Sequence, residues 1–138
     1  DRLREKGGRL TCIDISAVWQ RIIRKKLAAY ENVDFFQGTI AEFAASRDGE
    51  DGAEGGPRYD AGFIHFMLHD IPEEERQGHL MTLSGLVRSG GKLFIREPVK
   101  ESHGIPPEEV RRLCSAAGFS ETEGKVKKNI YEGVFIKE

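Results

Sequence analysis

The apolar positions of the chain follow two spacings, one typical of strands and one typical of helices. The predicted strands cover residues 9–15, 33–37, 59–66 and 92–96. The predicted helices cover residues 17–30, 40–46, 106–117 and a segment that begins at Pro72 and ends before residues 89–91. Residues 119–127 and 130–137 are predicted to pair as an antiparallel hairpin. This order predicts an α/β fold, a three-layer sandwich whose sheet is mostly parallel with an antiparallel C-terminal hairpin strand.

One stretch interrupts this alternation. Residues 47–57, RDGEDGAEGGP, contain no large apolar side chain, so burial cannot offset the entropy lost on ordering them. We interpret them as a mobile surface loop inside a single domain that spans residues 1–138.

In the helix of residues 17–30, an apolar stripe with helical spacing is predicted to lie on the sheet, and it consists of Trp19, Ile22, Ile23 and Leu27.

Composition limits the partners and the compartment. The 138 residues carry a net charge of -2 at pH 7, so no nucleic-acid partner is expected. No apolar run approaches the ~20 residues that a membrane span needs, and no signal peptide is recognisable, so we expect a soluble cytoplasmic protein without a membrane partner. Cys12 and Cys114 lie in apolar patterns and are interpreted as buried thiols of a reducing compartment.

Residues 58–75, RYDAGFIHFMLHDIPEEE, predict a buried strand, an apolar loop with two histidines and a helix that starts at a proline. In open α/β sheets, small molecules bind beyond the carboxyl ends of the strands. Asp14 ends another predicted strand, and its carboxylate could accept hydrogen bonds from two neighbouring ribose hydroxyls. The alternative is that Asp14 only precedes the helix cap Ser16.

Several motifs occur in the order and spacing of a known family. They are Asp14, the Leu68-His69-Asp70-Ile71-Pro72 segment, the sequence VRSGGKLFI of residues 87–95 and the sequence AAGF of residues 116–119. With them the chain resembles the class I S-adenosylmethionine-dependent methyltransferases that act on small molecules, although Ser89 stands where a proline is usual. The resemblance implies a Rossmann-like sheet, S-adenosyl-L-methionine as cofactor and methyl transfer to a small-molecule acceptor.

The resemblance also implies roles for individual residues. Asp14 would bind the ribose, and Ile15 would pack on the adenine. Thr39 and Ile40, after Gly38, would lie at the edge of the base, although Thr39 replaces a more usual acidic residue. The residues that would face the methionine part of the cofactor and the acceptor are Ile64, His65 and Phe66.

The histidines are candidates for a proton acceptor. A methyl group on a sulfonium is already activated, so a general base is needed only if the acceptor loses a proton. His65 is the first candidate and His69 the second, with loop orientation or packing as the alternative role. His79 and His103 are interpreted as surface residues. No His, Cys and Asp residues have metal-ligand spacing along the sequence, so no metal is expected.

The family's first strand and its glycine-rich turn have no counterpart here, because the glycines at 7–8, 52–56 and 90–91 lack the strand-turn-helix context. That strand would lie between the strand ending at Asp14 and the strand of residues 59–66. We expect about 30 further residues upstream, and unpaired strand edges that allow self-association. Two alternatives remain open: a non-catalytic relative that binds the cofactor, and an NAD-binding α/β domain.

Overall fold

The computed structural model describes residues 2–47 and 59–138. The chain divides into two compact units, Asp1–Ala53 and Glu54–Glu138, and each contains its own sheet. The single domain over residues 1–138 stays a prediction. The loop predicted for residues 47–57 lies outside the described residues except for Arg47, which ends a helix.

Within residues 2–47, the first unit is a pair of parallel strands with three helices. The elements are α1 (Arg2–Glu5), β1 (Leu10–Asp14), α2 (Ala17–Lys26), β2 (Val33–Gln37) and α3 (Ile40–Arg47). The strands align from Leu10 opposite Val33 to Asp14 opposite Gln37. As predicted, Ser16 caps α2, because its hydroxyl accepts the Trp19 N–H at 3.2 Å.

Helix α2 contacts the strand pair through a polar residue. Gln20 is its buried residue, and Nε2 of Gln20 donates to the carbonyl of Phe36 at 2.7 Å. The apolar stripe predicted for this helix is only partly buried, since Trp19 and Ile22 are exposed within this structure. The hydrophobic pattern therefore found the helix correctly but was wrong about how much of the stripe the unit buries.

Within residues 59–138, the second unit is a five-stranded mixed sheet with two longer helices. Its elements are β3 (Tyr59–His65), α4 (Glu73–Leu86), β4 (Val87–Lys100), β5 (His103–Gly104), α5 (Pro107–Ala116), β6 (Phe119–Lys127) and β7 (Ile130–Lys137). The strand order is β3-β4-β7-β6, and β5 pairs with the end of β4. β3 is parallel to β4, whereas β7 is antiparallel to β4 and to β6. The predicted α/β class and the antiparallel C-terminal hairpin are confirmed.

One apolar cluster forms the core of this second unit. Each fully buried Leu, Ile or Phe side chain in it stabilises the unit by about 1.5–3 kcal/mol relative to an exposed one. The cluster includes Leu68, Leu80, Leu93, Ile95, Val110, Phe119, Tyr131 and Phe135. Leu68 belongs to a short 3-10 helix, Leu68–Asp70, so the loop that follows β3 is anchored in the core.

Strand β4 is longer than the sequence predicted. It begins at Val87, directly after α4, and it continues through Pro98 to Lys100. Pro98 does not end the strand, because its carbonyl still accepts the Ile105 N–H at 2.9 Å. Proline has no N–H group, so none is left without a partner at this position. The extension pairs with β5, which places His103 opposite Lys100.

The two sheets leave strand edges open in the described part of the chain. There, β1 pairs only with β2, and β3 pairs with β4 alone. Self-association through these edges stays a prediction. No helix within residues 2–47 and 59–138 is long and apolar enough to cross a membrane.

Candidate active site

The loop after β3 is organised by one buried carboxylate. Glu97 on β4 has a side chain that is 0% exposed. Its Oε1 accepts the backbone N–H groups of Met67 at 2.8 Å and Leu68 at 2.7 Å, and its Oε2 accepts a hydrogen bond from Nδ1 of His69 at 2.7 Å. A carboxylate buried this deeply needs such donors to compensate for lost hydration. Glu97 therefore fixes both the loop backbone and the His69 ring.

Arg76 on α4 holds the same loop through its carbonyls. Its Nε donates to the carbonyl of Ile71 at 3.0 Å, and its Nη2 donates to the carbonyl of His69 at 3.3 Å. Nη1 binds Oε1 of Glu109 on α5 at 2.8 Å. The planar guanidinium can make all three contacts at once. The loop is thus tied to β4 through its N–H groups and to α4 through its carbonyls, and Glu109 on α5 holds the Arg76 guanidinium in place.

The Glu97 contact decides the tautomer of His69. A carboxylate accepts but does not donate, so we assign the proton to Nδ1 and the lone pair to Nε2. The His69 side chain is 5% exposed, and Nε2 lies 3.2 Å from Nε2 of His103 and 3.3 Å from Oδ1 of Asp70. A histidine oriented by a carboxylate in this way has the arrangement of a general base.

Phe66 joins β3 to this loop in an unusual conformation. Its φ is +51°, in the left-handed region that residues other than glycine rarely adopt. The Phe66 N–H donates to the carbonyl of Arg96 at 2.8 Å, and the Arg96 guanidinium lies 5.3 Å from the Phe66 ring. Such backbone strain often occurs at functional sites, and here it directs the chain from the strand into the loop that carries His69.

The other candidates on β3 point to opposite faces of the sheet. Ile64 is buried in the core, so any contact of Ile64 with a ligand must come from its backbone. His65 is exposed and lines a cavity of about 600 Å³ on the other face, together with Phe63, Phe94 and Arg96. Of the two histidines in the described loop region, it is His69, the second candidate, that has the carboxylate partner.

Asp14 and Gly38 meet at the carboxyl end of the β1–β2 pair. The Gly38 N–H donates to the Asp14 carbonyl at 3.0 Å, and Oδ1 of Asp14 accepts the Ser16 N–H at 2.7 Å. Ile15, which follows Asp14, is 70% exposed. Asp14 therefore has the role of a residue that precedes and stabilises the start of α2. Its contact with the ribose stays a prediction, with Oδ2 as the oxygen that would accept.

Thr39 has a structural role that the sequence analysis did not assign. Its hydroxyl accepts the Glu42 N–H at 3.1 Å, and Oε1 of Glu42 accepts the Thr39 N–H at 3.3 Å. These reciprocal bonds form a capping box at the start of α3, which begins at Ile40. The contacts of Thr39 and Ile40 with the base stay predictions.

Structural comparison shows what the architecture is similar to. An O-methyltransferase family protein from Burkholderia thailandensis superposes with a TM-score of 0.76 and 16% identity, over 99% of this chain and 46% of that one. The 1,6-didemethyltoxoflavin-N1-methyltransferase of the same organism was solved with bound S-adenosylhomocysteine. It superposes with a TM-score of 0.71 and 17% identity, over 99% of this chain and 64% of that one. The N-methyltransferase NodS from Bradyrhizobium japonicum WM9, in complex with S-adenosylhomocysteine, superposes with a TM-score of 0.71 and 12% identity, over 94% of this chain and 66% of that one.

The chain has the methyltransferase fold. The resemblance drawn from its motifs is confirmed at the level of the fold. No protein-family model and no curated protein matches the sequence. The chain spans between about half and two thirds of the length of these methyltransferases.

On the methyltransferase fold, the predicted site residues form two groups. Asp14, Ile15, Gly38, Thr39 and Ile40 lie in the first unit, whereas Ile64, His65, Phe66 and His69 lie in the second. Sequence analysis missed Glu97, Arg76 and His103. A signal for Glu97 was present, because this acidic residue continues the alternation of the inward-facing apolar positions Leu93 and Ile95. Arg76 and His103 gave no such signal.

Proposed function

We propose that this chain transfers a methyl group from S-adenosylmethionine to a small-molecule acceptor that loses a proton in the reaction. The observation that carries the proposal is the His69–Glu97 pair on a methyltransferase fold, with Nδ1 of His69 2.7 Å from a fully buried carboxylate. Methyl transfer to an acceptor without an acidic proton would need no such base. The net charge of -2 favours a small molecule over a nucleic acid as acceptor.

His69 acts on the acceptor as a general base. Nε2 would take the proton of an acceptor hydroxyl or N–H group while that atom bonds to the methyl carbon and the carbon–sulfur bond of the sulfonium breaks, with S-adenosylhomocysteine as the leaving group. Glu97 stabilises the imidazolium that results and keeps the ring in one orientation. S-adenosylmethionine supplies a methyl group already activated by its sulfonium, so the residues of the chain mainly provide position and proton transfer.

The first unit has residues that fit the nucleoside of this cofactor. The Asp14 carboxylate lies at the carboxyl end of a parallel strand, where Ser16 fixes one oxygen by a 2.7 Å hydrogen bond. A ribose hydroxyl can donate to the other oxygen. The exposed Ile15 side chain offers apolar surface to an adenine ring.

The first experiment is calorimetric titration with S-adenosylhomocysteine, with NAD as the control ligand. We expect binding of S-adenosylhomocysteine alone, and a loss of about 1–3 kcal/mol in Asp14→Ala because a charged hydrogen bond to the ribose is removed. The matched control is Asp34→Ala, which removes an exposed carboxylate of the same unit. Binding of NAD without S-adenosylhomocysteine would overturn the proposal.

The second experiment tests the base. His69→Asn retains an N–H that can donate to Glu97 but removes the proton acceptor, so we expect kcat to fall about 10²–10⁴-fold against a panel of phenolic, carboxylic and amine acceptors. His79→Asn, on α4 outside this loop, is the control. If both variants lose the same activity, His69 is not the base. If the wild type binds S-adenosylhomocysteine but methylates none of these acceptors, the non-catalytic alternative gains support.

A further inference from the structure

Three potential metal ligands meet beside the Glu97 carboxylate. One ring nitrogen each of His69 and His103 and one carboxylate oxygen of Asp70 lie within 4.8 Å of one another. His69 and Asp70 come from the 3-10 helix after β3, and His103 begins β5. The two-residue turn between β4 and β5 returns the chain to this loop, so the cluster depends on the extension of β4 beyond Pro98.

The spacing of these atoms suits a small divalent ion. Zn²⁺ binds histidine nitrogen at about 2.0–2.1 Å and carboxylate oxygen at about 2.0–2.2 Å, which makes the edges of a tetrahedron about 3.3–3.4 Å long. The two measured distances from Nε2 of His69 are 3.2 Å to His103 and 3.3 Å to Asp70. The Asp70 side chain is 66% exposed and His103 is exposed. Both side chains can therefore rotate until the Asp70 oxygen and the His103 nitrogen are also at this distance from each other.

The outer contacts also match a metal site. A histidine that binds a metal usually donates its other N–H to a carboxylate, which fixes the ring and makes the free nitrogen a better ligand. Nδ1 of His69 makes this contact with Glu97, a fully buried residue. Two imidazoles and one carboxylate are ligands that Zn²⁺ accepts, and three protein ligands leave a fourth position open.

We propose that His69, Asp70 and His103 form a Zn²⁺ site with Glu97 as the outer partner of His69. Binding uses the lone pair on Nε2 of His69, and neutral His103 carries its proton on Nδ1 when its Nε2 binds the ion. If His69 is the base, as proposed above, the same lone pair cannot accept a proton while Zn²⁺ is bound. Zn²⁺ is then a reversible inhibitor of methyl transfer, a consequence that rests on the proposed function.

The site is tested without cofactor or acceptor. The chelator-stripped full chain is titrated with Zn²⁺ against a chromophoric chelator, and with Co²⁺ as a probe whose visible absorption reports tetrahedral coordination. We expect one saturable site. Glu97→Gln should weaken binding about 10–100-fold, as loss of an outer partner does elsewhere, and Asp70→Asn and His103→Asn should weaken it at least as much.

The control is His79→Asn, which removes a histidine of α4 that lies outside the cluster. Circular dichroism verifies that each variant is folded. Absence of saturable binding, or equal weakening in His79→Asn, would overturn the site. The inhibitory role has its own readout: Zn²⁺ should slow methyl transfer less in His103→Asn than in the wild type while S-adenosylhomocysteine affinity is unchanged. Metal binding without S-adenosylhomocysteine binding would leave the site standing and reject the proposed function.

Discussion

Oε2 of Glu97 lies 2.7 Å from Nδ1 of His69, although the two residues are 28 positions apart in the sequence. The other oxygen of the same carboxylate accepts the N–H groups of Met67 and Leu68. One buried side chain therefore stabilises the loop and orients the histidine within it. The loop cannot move without breaking these charged hydrogen bonds, so the position of Nε2 is fixed before any ligand binds.

Replacing Glu97 by Gln should destabilise the second unit. The amide cannot accept with both of its terminal atoms, so at least one buried N–H loses its partner, and we expect the free energy of unfolding to fall by about 3 kcal/mol. Urea unfolding measures the change. Glu101→Gln, in the exposed turn that follows β4, is the control. Equal midpoints for the two variants would show that the Glu97 contacts do not stabilise the fold.

Arg76→Met should loosen the loop without removing its anchor on Glu97. The carbonyls of His69 and Ile71 lose a charged donor, and Glu109 loses its partner. We expect faster amide hydrogen exchange over residues 67–71, with little change in strand β7. Exchange measured by NMR distinguishes the two segments. Arg112→Met, an exposed position on α5, is the control, and matching exchange rates in both variants would refute the role of Arg76.

Much of the element order was predictable because local rules agree with the fold. The hairpin of β6 and β7 is the clearest case: Lys128 and Asn129 both have positive φ, as the tight turn between two twisted strands requires. The length of β4 was not predictable in this way. Pro98 indicates a strand end locally, but its pairing partner lies at Ile130, a long-range contact that overrides the local preference.

The candidate site was predictable only in part for the same reason. The motif around His69 identified the loop, and the resemblance to methyltransferases identified the kind of fold. Two partners of that loop come from distant positions, Glu97 on β4 and His103 on β5. The sequence spacing of His69 and His103 does not indicate that their rings meet, because the turn after Lys100 creates that contact.

Thr39→Ala tests whether the capping box of α3 is needed. Loss of the hydroxyl that accepts the Glu42 N–H should lower the stability of the first unit by about 1 kcal/mol. Thr39→Ser keeps an oxygen in place and should retain most of that stability. Chemical unfolding followed by the fluorescence of Trp19, in the same unit, measures both variants. If Thr39→Ser and Thr39→Ala lower the stability of the first unit equally, the hydroxyl cap of Thr39 does not contribute to that stability.

Cys114 should make the protein less stable in alkali. Burial is the main cause that raises the pKa of Cys114 from 9.0 to about 12, with a smaller effect from Glu121. The unfolded thiol therefore loses its proton at lower pH than the folded one, and the stability is complete below pH 9.0 and falls between 9.0 and about 12. The slope approaches about 1.4 kcal/mol per pH unit for one proton.

Unfolding in urea from pH 7 to pH 10 measures this decline. The range stops at the pH where tyrosine begins to ionise in the unfolded chain. Burial also raises the pKa of Tyr131 above its ordinary value of 10.0, so ionisation of this tyrosine would lower the stability further above pH 10.0. Cys114→Ala should lower stability at every pH by leaving a cavity but should flatten the decline above pH 9. Cys12→Ala is a comparison and not a neutral control, because burial raises the pKa of this half-buried thiol too and its removal should also flatten part of the decline. A decline that is as steep in Cys114→Ala as in the wild type would place its origin elsewhere.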